Sequence, residues 1–381
     1  MMTNEVFAYL LIFFFVALLT DFLRRQALTA GLMDYPSSRK RHQRPVPPVG
    51  GEAIFIGCLI SALALGVPLG HVAGLFASGA IIVVTGALDD YYNFSPQSRL
   101  LAQAIAALAM AVLGGATVEQ LGAIAPGGRI FYLHAFAVPF TVVGTVGVIN
   151  ALNMIDGMDG LSGSLALVAL IGLAVVAEAG KASMILAMVL VMASGIAAFL
   201  TLNVRSPWRW RASVFLGDAG STFLGFALSW FIIRLSQEPV AAMSPVIGLW
   251  LLMVPLFDTL HTLMRRLLNG HSPFIADRRH LHHFFLRVGF SVSQTLGVIL
   301  AFAIAGVVIG VAGKFLDVPD RAMLIAFCAL FVLYCIGMTL AWRAYPRLKR
   351  RLARRRRHRG ASTTLPVMAR ARANRIRELP H

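Results

Sequence analysis

Several short polar clusters interrupt an otherwise apolar chain, and each contains groups able to handle a phosphate or a divalent cation. The densest is Asn150-Ala-Leu-Asn-Met-Ile-Asp-Gly-Met-Asp-Gly-Leu161, at the point where an apolar run ends. Asn150, Asn153, Asp156 and Asp159 recur every third residue, so on an α-helix the first three share one side and could face a common ligand. Gly157 and Gly160 then loosen the helix and let backbone approach whatever binds. Asp89-Asp90 close another apolar run. Adjacent side chains on a helix diverge by about 100°, so the two carboxylates have different tasks. One accepts a proton or orients a nucleophile while the other pairs with a cation; the structural alternative is a helix cap. Asp218 stands between Gly217 and Gly220, just before a further apolar run. It suits Mg²⁺, which prefers one or two protein oxygens plus water and substrate phosphates, with a helix N-cap as the structural rival.

Two clusters are basic. Asp34 to Gly51 holds Arg39, Lys40, Arg41, His42 and Arg44 among Pro45, Pro47 and Pro48. Cations on a turn-rich loop suit a pyrophosphate, although charge alone fits a cytosolic loop equally well. His271 to His283 contains Arg278, Arg279, His280, His282 and His283. His280 and His283 would share a helical side, yet no Cys or Glu stands at zinc-ligand spacing, and the Arg and His groups suit phosphate oxygens and the charge that builds up in transfer. Asp258, on the helix that carries His261, orients a neighbour at most.

The elements that position these clusters are membrane helices. Of the 381 residues 58% are hydrophobic and 13% charged, with a mean hydropathy of +0.75, an excess that no soluble core of this size needs. Apolar runs starting near Val6, Ala53, Val72, Leu100, Ala135, Leu161, Ala182, Ser221, Ala241, Ser293 and Ala322 predict an all-α, polytopic protein of about eleven spanning helices. The run from Val6 lacks a basic segment before it and is followed by Arg24 and Arg25, so it reads as a retained helix. An outside N-terminus puts 21–52, 89–99, 151–160, 203–218, 261–292 and 343–381 in the cytosol. These segments hold all 34 Lys and Arg residues except Arg129, Lys181, Arg234, Lys314 and Arg321. The net charge of +17 is thus a topology signal, and nucleic acid is not an expected partner. Cys58, Cys328 and Cys335 lie in apolar runs without metal-ligand spacing. Residues 1–342 form one catalytic membrane domain; 343–381 form a basic cytosolic tail, with Arg354 to Arg357, that lies against anionic headgroups and is partly disordered. The polar clusters all reach one face, whereas a transporter would hold its acids near the midplane.

In order along the chain, Arg39-Lys-Arg-His42, Leu88-Asp-Asp90, Asn150 to Leu161, Leu216-Gly-Asp-Ala-Gly-Ser221 and Asp277-Arg-Arg-His-Leu-His-His283 resemble the polyprenyl-phosphate N-acetylhexosamine-1-phosphate transferase superfamily, over about Asp34 to Phe290. The His-x-His-His form at 280–283 is similar to the branch that uses UDP-N-acetylglucosamine. The resemblance implies transfer of GlcNAc-1-phosphate from UDP-GlcNAc to undecaprenyl phosphate, releasing UMP. The setting implied is the cytosolic face of a bacterial inner membrane, at the first membrane step of O-antigen or related glycan synthesis. It implies Mg²⁺, with Mn²⁺ as an alternative, held by Asp218 and Asn153. It makes Asp89 the acid that deprotonates the lipid phosphate or attacks as nucleophile, and gives Asp90, Asp156 and Asp159 to metal, nucleotide or catalytic geometry. Arg39, Arg41, His42, Asn150, Arg278, His280, His282 and His283 are then the substrate-binding set. A homodimer is left open.

Overall fold

The computed structural model describes residues 2–34, 45–272, 279–346 and 350. Among them there is no strand, only isolated bridges such as Gln120 with Tyr132. The helices are α1 (Met2–Ala30), α2 (Gly50–Ala64), α3 (Leu69–Tyr92), α4 (Pro96–Val112), α5 (Ala137–Ile155), α6 (Leu161–Ala179), α7 (Ser183–Asn203), α8 (Gly217–Ser236), α9 (Pro245–Leu251), α10 (Met253–Leu268), α11 (Leu281–Val288) and α12 (Val292–Phe315), then α13 (Asp320–Pro346). Each of the eleven apolar runs is therefore helical. Among the described residues eight helices are long and apolar enough to cross a membrane singly, and α9 with α10, bent by 83°, qualify together as a ninth span. With 15 and 17 residues, α2 and α4 are shorter. The protein is an integral, multi-span membrane protein.

Helix α8 is the axis of the fold. It packs against α2, α3, α5 and α6, and Phe223, Phe226, Trp230 and Phe231 on it are fully buried. A helix apolar on all sides suits either such a buried place or contact with lipid, and α8 takes the buried one. Lipid offers no hydrophobic drive for helices to associate, so close packing must do that work through small residues. Gly86 of α3 lies against the backbone of Ala219, Gly51 of α2 against that of Gly220, and a Cβ on Gly225 would stand 2.6 Å from Ile149 Cα of α5. A second core cluster joins α9, α10, α12 and α13 around Trp250, Phe257 and Phe327.

Three boundaries differ from the sequence expectation. α8 begins at Gly217, not near Ser221, because a carboxylate from α3 satisfies its first turn from outside; Asp218 therefore lies inside the helix. α5 ends at Ile155, and Asp156 caps it with φ −72 and ψ 67, so Asp156 leaves the helical face that Asn150 and Asn153 share. The boundary at 342 falls inside α13, which continues to Pro346.

The glycine contacts set a testable tolerance. Gly86→Val should destabilise the purified protein by about 1–3 kcal/mol, the usual cost of overpacking. Gly337→Val, at a glycine with open space around it, should not. Thermal unfolding in one detergent compares the two.

Candidate active site

The polar clusters converge on the first turn of α8. Gly217 has φ +75 and its Cβ position lies 2.6 Å from Asp90 Oδ2, so only glycine lets the Asp90 carboxylate reach the helix start. Asp90 accepts hydrogen bonds from the backbone N–H of Asp218 at 2.9 Å and of Ala219 at 3.4 Å. A carboxylate there satisfies orphan amide donors and complements the positive end of the helix dipole. Asp90 thus does the capping, not Asp218, whose own side chain is left for other partners.

Asp218 Oδ1 accepts from Asn153 Nδ2 at 2.6 Å, and the same amide reaches Ser221 Oγ at 3.0 Å. The other oxygen, Oδ2, lies 3.7 Å from Arg99 Nη1. Arg99, in the first turn of α4, also meets Asp89 Oδ2 at 3.2 Å, and so bridges two acids from different helices. Asp89 is 4% exposed; its Oδ1 accepts from Phe94 N at 2.6 Å, which ties the turn after α3, where Asn93 has φ +53. Asp89 thus pairs with a cation, as expected of one of the two acids, while Asp90 takes the helix-capping place that was the structural alternative.

Asp156 lies outside the helices beside this group. Burial, with added repulsion from Asp218 and Asp159, pushes its carboxyl up to about 7. Asp159 turns to the loop before α8, where its Oδ2 pairs with Arg205 Nε at 2.6 Å and takes Ala212 N at 3.4 Å. Asn203 locks the same two loops together, accepting from Gly160 N at 2.7 Å and donating to Val214 O at 2.8 Å. Asn150 donates to Gln103 Oε1 of α4 at 2.6 Å, one turn further into the bundle.

The histidines enter from α10 and α11. Asp258 is fully buried; its Oδ2 lies 2.8 Å from His280 Nδ1, while Oδ1 accepts from Leu281 N at 2.8 Å and Tyr334 Oη at 3.1 Å. It orients a neighbour, as its place on α10 suggested, and also holds the start of α11. His280 precedes α11 as its N-cap, so His280 and His283 do not share a helical side. His282 presses its ring against Gly157, where any Cβ would collide with the imidazole. The His282 and His283 ring centroids are 4.1 Å apart.

Several of these groups line a cavity of about 1000 Å³. Asp89, Arg99, Asn153, Asp218, His280 and His282 line it together with apolar residues such as Phe140, Val143, Leu252 and Leu256 of α5, α9 and α10 and their neighbours. Arg39, Arg41, His42 and Arg278 lie outside the described residues. Sequence reasoning missed Arg99 and Arg266 as cavity residues and Tyr334 as a partner of Asp258. Arg99 had a signal, being the sole cation of its segment; Arg266 was taken for topology bias, and Tyr334 had none within an apolar run.

The donor set can be tested against a metal. Among the described residues no three His, Cys, Asp or Glu side chains stand at metal-ligand spacing, which does not suit zinc. Asp218, with Asp156 near and Asn153 able to offer its amide oxygen, gives few hard oxygen donors, which suits an ion that keeps water and phosphate ligands, as Mg²⁺ does. These residues would hold it.

The sequence model of glycosyl transferase family 4 matches residues 72–236. The undecaprenyl-phosphate alpha-N-acetylglucosaminyl 1-phosphate transferase of Escherichia coli K12 is 34% identical over 366 residues, 93% of this chain and 96% of that protein. The proteins of the same description from Yersinia pestis and Haemophilus influenzae are 34% and 35% identical, covering 92% and 87% of this chain and 94% and 93% of theirs. The chain belongs to glycosyl transferase family 4. It is an enzyme, a glycosyl-1-phosphate transferase.

The two acids of the α3–α8 seam should separate by function. Asp90→Ala leaves two amides unpaired and should lower stability by about 1–3 kcal/mol, whereas Asp218→Asn should keep the thermal midpoint and lose activity. The charge on Asp156 gives a second expectation. Its raised pKa means that the folded state favours the protonated acid, so the stability penalty is absent below the ordinary carboxylate range and grows as pH rises to about 7. A divalent cation that needs the ionised site should therefore raise the thermal midpoint more at pH 8 than at pH 6. An equal rise at both would contradict the placement.

Proposed function

We propose that this enzyme transfers GlcNAc-1-phosphate from UDP-GlcNAc to undecaprenyl phosphate, giving undecaprenyl-pyrophosphoryl-GlcNAc and UMP. The observation behind this reading is the cavity itself: two acids bridged by one arginine line the same cavity as many apolar side chains. A lipid whose phosphate must meet a nucleotide needs that pairing of surfaces. Similarity to relatives described as undecaprenyl-phosphate transferases supports the acceptor and donor.

In this reading α2 and α4 also cross, making eleven spans with the N-terminus outside. The site then lies on the cytosolic face of a bacterial inner membrane, at the first membrane step of O-antigen or related glycan synthesis. Mg²⁺, with Mn²⁺ able to replace it, would neutralise pyrophosphate charge and improve UMP as a leaving group. Asp218, kept in place by Asn153, would hold it, with Asp156 completing the negative surroundings. The acceptor phosphate oxygen forms a bond to the sugar-bearing phosphorus as the bond to the UMP oxygen breaks. Arg99 can shift from the two carboxylates onto the phosphates, and Asp89, thereby released, can take the proton of the lipid phosphate. His280, fixed by Asp258, and His282 and His283 hold donor phosphates in line, so that the step depends on positioning and charge compensation. Asp159 organises the loop through Arg205 and acts on the site at second hand.

UMP release tests the reading. Protein mixed with UDP-GlcNAc, undecaprenyl phosphate and Mg²⁺ should release UMP, faster than with other UDP-N-acetylhexosamines. Chelation should stop it, and Asp89→Asn, Arg99→Gln or Asp218→Asn should lower kcat by about 10²-fold or more. Release that needs no lipid acceptor, or that survives Asp218→Asn, would contradict it.

A further inference from the structure

A second cavity, of about 580 Å³, opens between α10, α11 and α13 and plays no part in the reaction as derived above. Its lining includes Arg265, Arg279, Arg287 and Arg343, together with His261 and Trp342, and no Asp or Glu among the described residues. Arg279, Arg287 and Arg343 alone bring three like charges around one cavity, a setting that favours an anion. Arg343 makes no ion pair among the described residues, and Arg287 lies over the Trp342 ring, 5.2 Å from its centroid. Arg279, read from the sequence as a phosphate-binding group of the acidic site, lines this cavity and not the larger one.

The surroundings identify the kind of anion. Met264 and Leu268 of α10 line the cavity and are exposed, and Leu267 of α10 and Ile336 and Leu340 of α13, on the same two helices of a membrane protein, are exposed as well. Trp342 and Tyr345, with ring centroids 5.9 Å apart, stand near the end of α13, as aromatics do at the level of headgroups. A basic recess whose rim is apolar, at the end of a span, fits a molecule with a charged head and fatty chains. We propose that this cavity binds the phosphate headgroup of an anionic phospholipid, with its acyl chains against α10 and α13.

The site would also stiffen the catalytic histidine. His261 stands one turn after Asp258 on α10, Arg279 immediately precedes His280, and Cys335 follows Tyr334, so three lining residues adjoin the Asp258–His280–Tyr334 hydrogen bonds. A lipid held here draws α10, α11 and α13 together and fixes the frame in which His280 is presented.

The test uses full-length protein in phosphatidylcholine vesicles with brominated phosphatidylglycerol or brominated phosphatidylcholine as quencher. The Trp342 signal is taken as the difference from Trp342→Phe. Phosphatidylglycerol should quench Trp342 at a lower mole fraction than phosphatidylcholine does. Arg287→Gln with Arg343→Gln should weaken that preference roughly tenfold, while the Lys pair at both positions keeps most of it. Equal quenching by the two lipids in the wild type, or a preference untouched by the double Gln variant, overturns the proposal. So does full displacement of phosphatidylglycerol by millimolar inorganic phosphate, which would make this a site for soluble anions. None of these readouts involves turnover, so they stand apart from the transferase reading.

Discussion

A carboxylate from one helix seated on the backbone amides that open another is the constraint on which this molecule depends. Within a membrane protein the first turn of a buried helix has no water to satisfy its N–H groups, and each left unpaired is costly. Asp90 answers that need for α8 from α3, and Gly217, Gly86 and Gly51 let the three backbones come close enough for it to do so. The consequence is positional. With its start fixed, α8 presents Asp218 beside Asn153 of α5 and across from Asp89 of α3, so residues more than a hundred positions apart act on one point.

Gathering acids at such a place has its own cost. Two unit charges about 4 Å apart repel by about 4 kcal/mol at an effective dielectric of 20, and here Asp89, Asp156 and Asp218 are close neighbours. Arg99 offsets part of this by bridging Asp89 and Asp218, while Asp156 is pushed up chiefly by its burial, with repulsion from Asp218 and Asp159 adding to it. One guanidinium shared by two carboxylates is the arrangement on which the proposed handling of a divalent cation and phosphates rests. The histidine side is built differently: Asp258 is fully buried with three partners, which makes a rigid mount for His280.

Much of this was legible in the sequence. Hydropathy gave the all-helical membrane fold, and the one-sided placement of Asp89, Asn153, Asp156 and Asp218 anticipated a composite site, because acids at span ends need partners. The helical periodicity of Asn150, Asn153 and Asp156 misled at its last member, since α5 ends at Ile155 and Asp156 is already its C-cap. The capping role of Asp90 could not be seen, because its partner amides lie 128 residues away, as a long-range contact chosen by helix packing. Asn150 bonding Gln103, and Tyr334 bonding Asp258, are invisible for the same reason: periodicity places a residue on a face and does not say which helix lies opposite.

Hydrogen–deuterium exchange at the first turn of α8 addresses the seam between α3 and α8 most directly. In the wild-type protein the amides of Asp218 and Ala219 should be as strongly protected as those deeper in α8. In Asp90→Ala they should exchange far faster while the middle of α8 stays protected. Unchanged protection of those two amides in Asp90→Ala would mean that something other than this carboxylate holds the helix start, and the account of how the site is assembled would fall.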